Sequence, residues 1–81
     1  MNIRIRVFAS LKDLIGTSEF HWDLEGRTTA AQVFDRLGDK YPQILPLKSS
    51  ILYAANQSYV EKNYVLSDGD ELALLPPVSG G

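Results

Sequence analysis

The sequence contains no cysteine. Disulfides, persulfides and cysteine–zinc sites are all excluded by that. No apolar run approaches the roughly 18–20 residues of a membrane span. The opening Met1-Asn2-Ile3-Arg4 lacks a signal-peptide core, so a cytoplasmic protein with no membrane partner is expected. Basic residues are not in excess: the formal net charge is −2. That balance disfavours nucleic acid, whose binding draws most of its affinity from a basic surface. There is no glycine-rich phosphate loop, and no Ser/His/Asp or Cys/His set is available for nucleophilic catalysis. What is present is an ordinary globule, 44% hydrophobic and 22% charged over 81 residues. That length gives one domain with one modest core, near the lower limit for unaided folding.

Hydrophobic periodicity divides the chain. Ile3, Ile5 and Val7 alternate with Arg4, Arg6 and Phe8, a half-buried strand over Asn2 to Phe8. Ser10-Leu11-Lys12-Asp13 is a Ser-x-x-Asp start signal; Leu11, Leu14 and Ile15 follow at helical spacing and Gly16 can stop a short helix. Glu19 to Leu24 alternates again, with Phe20, Trp22 and Leu24 on one face. Thr29-x-x-Gln32 is a capping box, and Ala30, Val33, Phe34, Leu37 and Tyr41 mark the apolar face of the main helix, which Pro42 closes. Gln43 to Ser50 reads as an irregular connection whose Leu45 and Leu47 plug the core. Ile51 to Ala55 and Tyr59-Val60 flank a turn at Asn56-Gln57-Ser58, where Asn tolerates positive φ. Asp68-Gly69-Asp70 is a second turn. The last strand, Glu71 to Leu75, sends Leu72 and Leu74 inward and Ala73 and Leu75 outward. One main helix and one short helix on a mixed sheet make an α+β fold, with residues 1–75 as the domain.

Beyond Leu75 the composition changes. Pro76 and Pro77 lack backbone N–H groups, so a sheet ladder cannot continue through them, and residues 76–81 should leave the body as an extended tail. Six residues at ~3.3–3.6 Å each reach roughly 20 Å, far enough to enter a cleft on another protein. Val78 and Ser79 lead to Gly80 and Gly81, the thinnest polypeptide available, around which a partner's backbone can close. A frayed terminus would also tolerate glycines. It has no need of an apolar strand at its root or of stiff prolines at its base.

The ending Pro76-Pro77-Val78-Ser79-Gly80-Gly81 resembles that of the small, sulfur-carrying subunit of molybdopterin synthase, the MoaD family of ubiquitin-like proteins, which ends in Pro-Pro-x-[Ser/Thr]-Gly-Gly. The resemblance extends over the chain. Phe8-Ala9-Ser10-Leu11 with Gly16 is similar to the family's first strand and short helix, and Ala54-Ala55-Asn56-Gln57 and Asp68-Gly69-Asp70-Glu71 are similar to its middle hairpin and final turn. One departure is Leu74-Leu75, where several members carry aromatics. The resemblance implies a β-grasp fold and a terminal Gly81 that a MoeB-like adenylyltransferase activates with ATP and that is converted to a thiocarboxylate. It further implies that the tail delivers sulfur inside the large subunit (MoaE) to cyclic pyranopterin monophosphate. The active complex would be hetero-oligomeric, with no cofactor bound to this chain. Phe8, Tyr59 and Leu75 match the apolar docking surface of the family.

The remaining polar residues have plain explanations. His21 lies among outward strand positions and reads as solvated rather than as a base or ligand. Asp68, Asp70 and Glu71 belong to a turn, not to a twelve-position calcium loop, and no metal site is expected. Arg4 and Arg6 should pair with Glu19, Asp23 or Glu71 on neighbouring strands. Trp22 should be core. Two other roles fit the same tail: a related thiocarboxylate carrier for thiamine, cysteine or tRNA thiolation, or a modifier attached to lysines. A passive ubiquitin-like interaction module is the third alternative.

Overall fold

The computed structural model describes residues 1–77, and its first strand follows the alternation: along β1 (Asn2–Val7) Ile3, Ile5 and Val7 are buried while Arg4 and Arg6 are exposed. The strand is one residue shorter than expected, because Phe8 is the N-cap of helix α1 (Ala9–Ile15). Ser10 therefore does not cap it. Phe8 is held extended at the end of the strand, and the chain turns at once through Ala9, whose φ is 50°. The Phe8 carbonyl then accepts from the Leu11 and Lys12 amides. Gly16 ends the helix in the left-handed region at φ 92°.

Strand β2 (Glu19–Asp23) pairs antiparallel with β1, Ile5 opposite Phe20 and Arg4 opposite His21. Trp22 is half-buried and packs with Phe20 at the margin of the core rather than inside it. Helix α2 (Ala30–Lys40) opens on the expected box: the Gln32 amide donates to the Thr29 hydroxyl at 3.2 Å and the Thr29 amide to Gln32 Oε1 at 2.8 Å. Its buried face is Ala30, Val33, Phe34, Leu37 and Gly38.

A 3₁₀ segment (Pro42–Ser50) occupies the stretch expected to be irregular. With three residues per turn, Ile44 and Leu47 share a face. Ile44 is wholly buried and Leu47 partly so, whereas Leu45 is 45% exposed, so the second core plug is Ile44 and not Leu45. Strands β3 (Leu52–Ala55) and β4 (Ser58–Val60) form a hairpin through a two-residue turn, with Asn56 and Gln57 both at positive φ, 52° and 72°. That is the twist a tight hairpin favours. Strand β5 (Glu71–Leu75) lies between β1, to which it is parallel, and β3, giving one sheet in the order β2-β1-β5-β3-β4. Leu72 and Leu74 enter the core beneath α2 together with Ile5, Val7, Phe34 and Leu37. This is the β-grasp arrangement.

Candidate functional site

The last strand sits in the middle of the sheet, so the root of the tail is anchored on both sides. Leu74 pairs in register with Val7 and Tyr53, and Leu75 with Leu52. Pro76 is buried and Pro77 exposed, so the packed body extends one residue past the expected boundary at Leu75. The ring of Pro76 has no amide proton to leave unsatisfied there. Val78, Ser79, Gly80 and Gly81, the expected working end of the tail, lie outside the described residues.

Around that root the sheet face turned away from α2 carries two kinds of side chain. Registers place Tyr59, Ala54, Ala73, Arg6 and Glu19 in one row across four pairings, and Leu52 beside Leu75 in the next. Phe8 follows Val7, whose partner is Leu74, so it stands level with Leu75 at the same end of the sheet. Tyr59 is 74% exposed, and Phe8 and Leu75 are half-buried. The three expected docking residues thus share one face. Leu52, 56% exposed between Leu75 and the hairpin, belongs with them. The sequence does not single Leu52 out, although alternation with the buried Tyr53 carries the signal.

The other half of this face is charged. Arg4 donates to Glu71 at 3.0 Å and lies 4.0 Å from Glu19; Arg6 is 3.9 Å from Glu19 and 3.8 Å from Glu71, with its guanidinium 5.3 Å from the Phe8 ring centroid. His21 is exposed and meets Glu19 at 2.9 Å. The expected Asp23 partner is different: its carboxylate receives the Met1 amine at 3.3 Å instead of an arginine, because Asp23 lies opposite Asn2 at the start of β1. Solvent-exposed pairs of this sort contribute about 0–1 kcal/mol each, so the network orders the surface more than it stabilises the fold.

Asp70 is a residue whose importance only the structure brings out. It is 7% exposed, accepts from Asn56 Nδ2 at 2.9 Å and the Ser67 amide at 2.8 Å, and lies 3.4 Å from the Tyr64 hydroxyl. Asn56 also brackets Glu71, its amide donating to the Glu71 carbonyl and its Oδ1 accepting from the Glu71 amide. The hairpin is thereby fastened to the start of β5. Among the described residues no group of three or more His, Asp or Glu converges as a metal site would require.

A family model described as the ThiS family matches residues 5–81. This chain belongs to the ThiS family. Similar curated proteins are the molybdopterin synthase sulfur carrier subunits of Dictyostelium discoideum, 35% identical over 96% of this chain and 94% of the relative, and of Drosophila yakuba, 31% identical over 100% and 92%. Among solved structures, the small archaeal modifier protein SAMP1 of Haloferax volcanii matches over 100% of both chains with a TM-score of 0.84 and 27% identity. A chain from the complex of subunits 1 and 2 of the molybdopterin-converting factor of Helicobacter pylori matches over 100% of both chains with a TM-score of 0.67; at 23% identity it speaks for the fold alone. These likenesses agree with the ubiquitin-like β-grasp read from the strands. No helix among the described residues is long and apolar enough to cross a membrane.

Proposed function

We propose that this ThiS-family chain is the sulfur carrier subunit of molybdopterin synthase, and that Gly81 is its reactive residue. The observation that carries the reading is the near-complete match to carrier subunits of that name; the full-length match and the family model both run through the Pro-Pro-x-Ser-Gly-Gly ending. Chemistry supports it: a carboxylate is a poor acyl donor, and with no cysteine in the sequence the sulfur needs a main-chain site. A MoeB-like partner using ATP would join the Gly81 carboxylate to AMP with loss of pyrophosphate. A sulfur donor then displaces AMP and leaves the thiocarboxylate. In the large subunit that sulfur would attack a carbon of the pterin precursor and displace an oxygen substituent, and hydrolysis of the acyl–sulfur bond would return the carboxylate and leave the sulfur on the pterin. Holding the sulfur on an anchored arm makes the encounter a positioned one. The chain itself would bind no cofactor and catalyse nothing alone, working in the cytoplasm as the small partner of a hetero-oligomer.

The open face around the root is the proposed dock for the large subunit, with Phe8, Leu52, Tyr59 and Leu75 as its apolar part, since an exposed patch of this kind marks a partner surface. Incubation with the activating enzyme, ATP and a sulfur donor, followed by intact-mass measurement, tests the role: replacement of one terminal oxygen by sulfur is expected. A terminus that stays a carboxylate under conditions that load a known carrier would overturn it. The likeness to archaeal modifier proteins favours a second reading, attachment through Gly81 to lysines of other proteins. Recovery of lysine-linked conjugates without a thiocarboxylate would select that one.

A further inference from the structure

The centre of the open sheet face is recessed. In the row Tyr59, Ala54, Ala73, Arg6 the two middle strands carry only methyl side chains, with a phenol on β4 at one side and a guanidinium on β1 at the other. Side chains alternate along a strand, so the alanines' neighbours on this face are Leu52 on β3 and Glu71 and Leu75 on β5. Exposure records the relief. Ala54 faces away from α2 and yet is 9% exposed, whereas Tyr59 opposite it is 74% exposed and Leu52, two residues before it, 56%. A floor of two alanines thus lies below a ring of longer side chains. At about 4.8 Å per strand the Tyr59 and Arg6 backbones stand roughly 14 Å apart across it, which leaves room between the two walls for one bulky side chain.

The walls decide what kind of side chain fits. Arg6 lies 3.9 Å from Glu19 and 3.8 Å from Glu71, so its charge is answered within the chain and an occupant needs no countercharge. The floor is methyl, Leu52 and Leu75 close one end, and the Tyr59 ring and the Arg6 guanidinium are both surfaces against which an aromatic ring packs well.

We propose that this hollow is a socket for one aromatic side chain of the large subunit, and that Ala54 and Ala73 set the specificity of the dock by being small. The inference takes its partner from the proposed function and goes beyond the apolar patch, because it fixes the sign of the effect of added bulk. On a flat apolar dock a larger side chain at position 73 buries more area and tightens the complex. In a socket it occupies the space the partner's ring needs and loosens the complex. Titration calorimetry with the large subunit compares the unaltered chain with Ala73→Val and Ala73→Leu, each beside its unfolding curve. Valine is favoured in strands and both new side chains lie on the open face, so folding is expected to hold. The socket predicts affinity that falls in the order Ala, Val, Leu, by roughly tenfold and then on the order of a hundredfold. Ala54→Val, on the neighbouring strand, tests the same floor should Ala73→Leu fail to fold, and a loss of roughly tenfold is expected there too. Affinity that stays level or rises with side-chain size would overturn the socket and leave the dock in place. A large subunit that binds none of these chains, the unaltered one included, would overturn the proposed partner and the socket with it.

Discussion

At the scale of single residues, Gly81 and Tyr53 make opposite demands on the same chain. Under the proposed function Gly81 would have to be free and terminal, because activation would act on its carboxylate; among the described residues the last buried one is Pro76. Deleting Gly81, or appending residues after it, is expected to abolish sulfur loading while leaving the thermal unfolding curve in place; loading by mass and unfolding by circular dichroism check the two halves. Tyr53 is 5% exposed, and burial, helped by the Asp35 carboxylate, pushes its hydroxyl above the ordinary value of 10.0. Ionisation is thus harder in the folded chain than in the unfolded one. The stability linked to this proton is complete below about pH 10 and is lost as the pH rises through the raised folded value. Urea unfolding from pH 9 to 11 should show that loss, and Tyr53→Phe should flatten it.

Elements meet at two polar devices whose removal separates local from long-range contributions. The Thr29 cap is local: Thr29→Ala leaves a helix amide without its partner and is expected to cost about 1 kcal/mol. Asp70 reaches further, since its carboxylate adds the Asn56 side chain, fourteen residues away in the hairpin, to the nearby Ser67 amide and Tyr64 hydroxyl beneath the start of β5. Asp70→Ala should cost on the order of 2–3 kcal/mol, because donors that stay buried lose their acceptor. Denaturant melts of the two variants give both figures. The cap was legible as Thr29-x-x-Gln32, a pattern complete within four residues. Asp70 was legible only as a turn residue, because the partner that ties it to the hairpin, Asn56, lies fourteen residues earlier in the chain.

For the whole molecule, the decisive contrast lies between two neighbours on one strand. Leu74 faces the core at 0% exposure, and Leu75 faces the open side beside Leu52. Leu74→Ala is expected to destabilise the fold by about 2–5 kcal/mol. Leu75→Ala and Phe8→Ala should instead weaken the complex with the large subunit by on the order of 1–3 kcal/mol each and leave folding nearly unchanged. A charge at Leu75 should weaken it more. Titration calorimetry beside unfolding curves decides the matter: lowered stability at unchanged affinity would place Leu75 in the core and the dock elsewhere.

Local pattern by itself determined the strand faces, the main helix with its cap, the left-handed stop at Gly16 and the two prolines that end the last strand. Each depends on periodicity or on a backbone restriction that acts within a few residues. Tertiary structure decided what such rules cannot reach. Packing against α2 chose a 3₁₀ path, and with it Ile44 over Leu45 as the core plug, because the period of that segment is set by the surface it has to fill. The run of β1 directly into a left-handed Ala9 moved the helix cap from Ser10 to Phe8. The parallel placement of β5 beside β1, with β3 on its other side, brought Phe8, Leu52, Tyr59 and Leu75 onto one face from four separate stretches of chain. Which residues become neighbours across a sheet depends on strand order, and strand order is settled by the burial of the whole core at once.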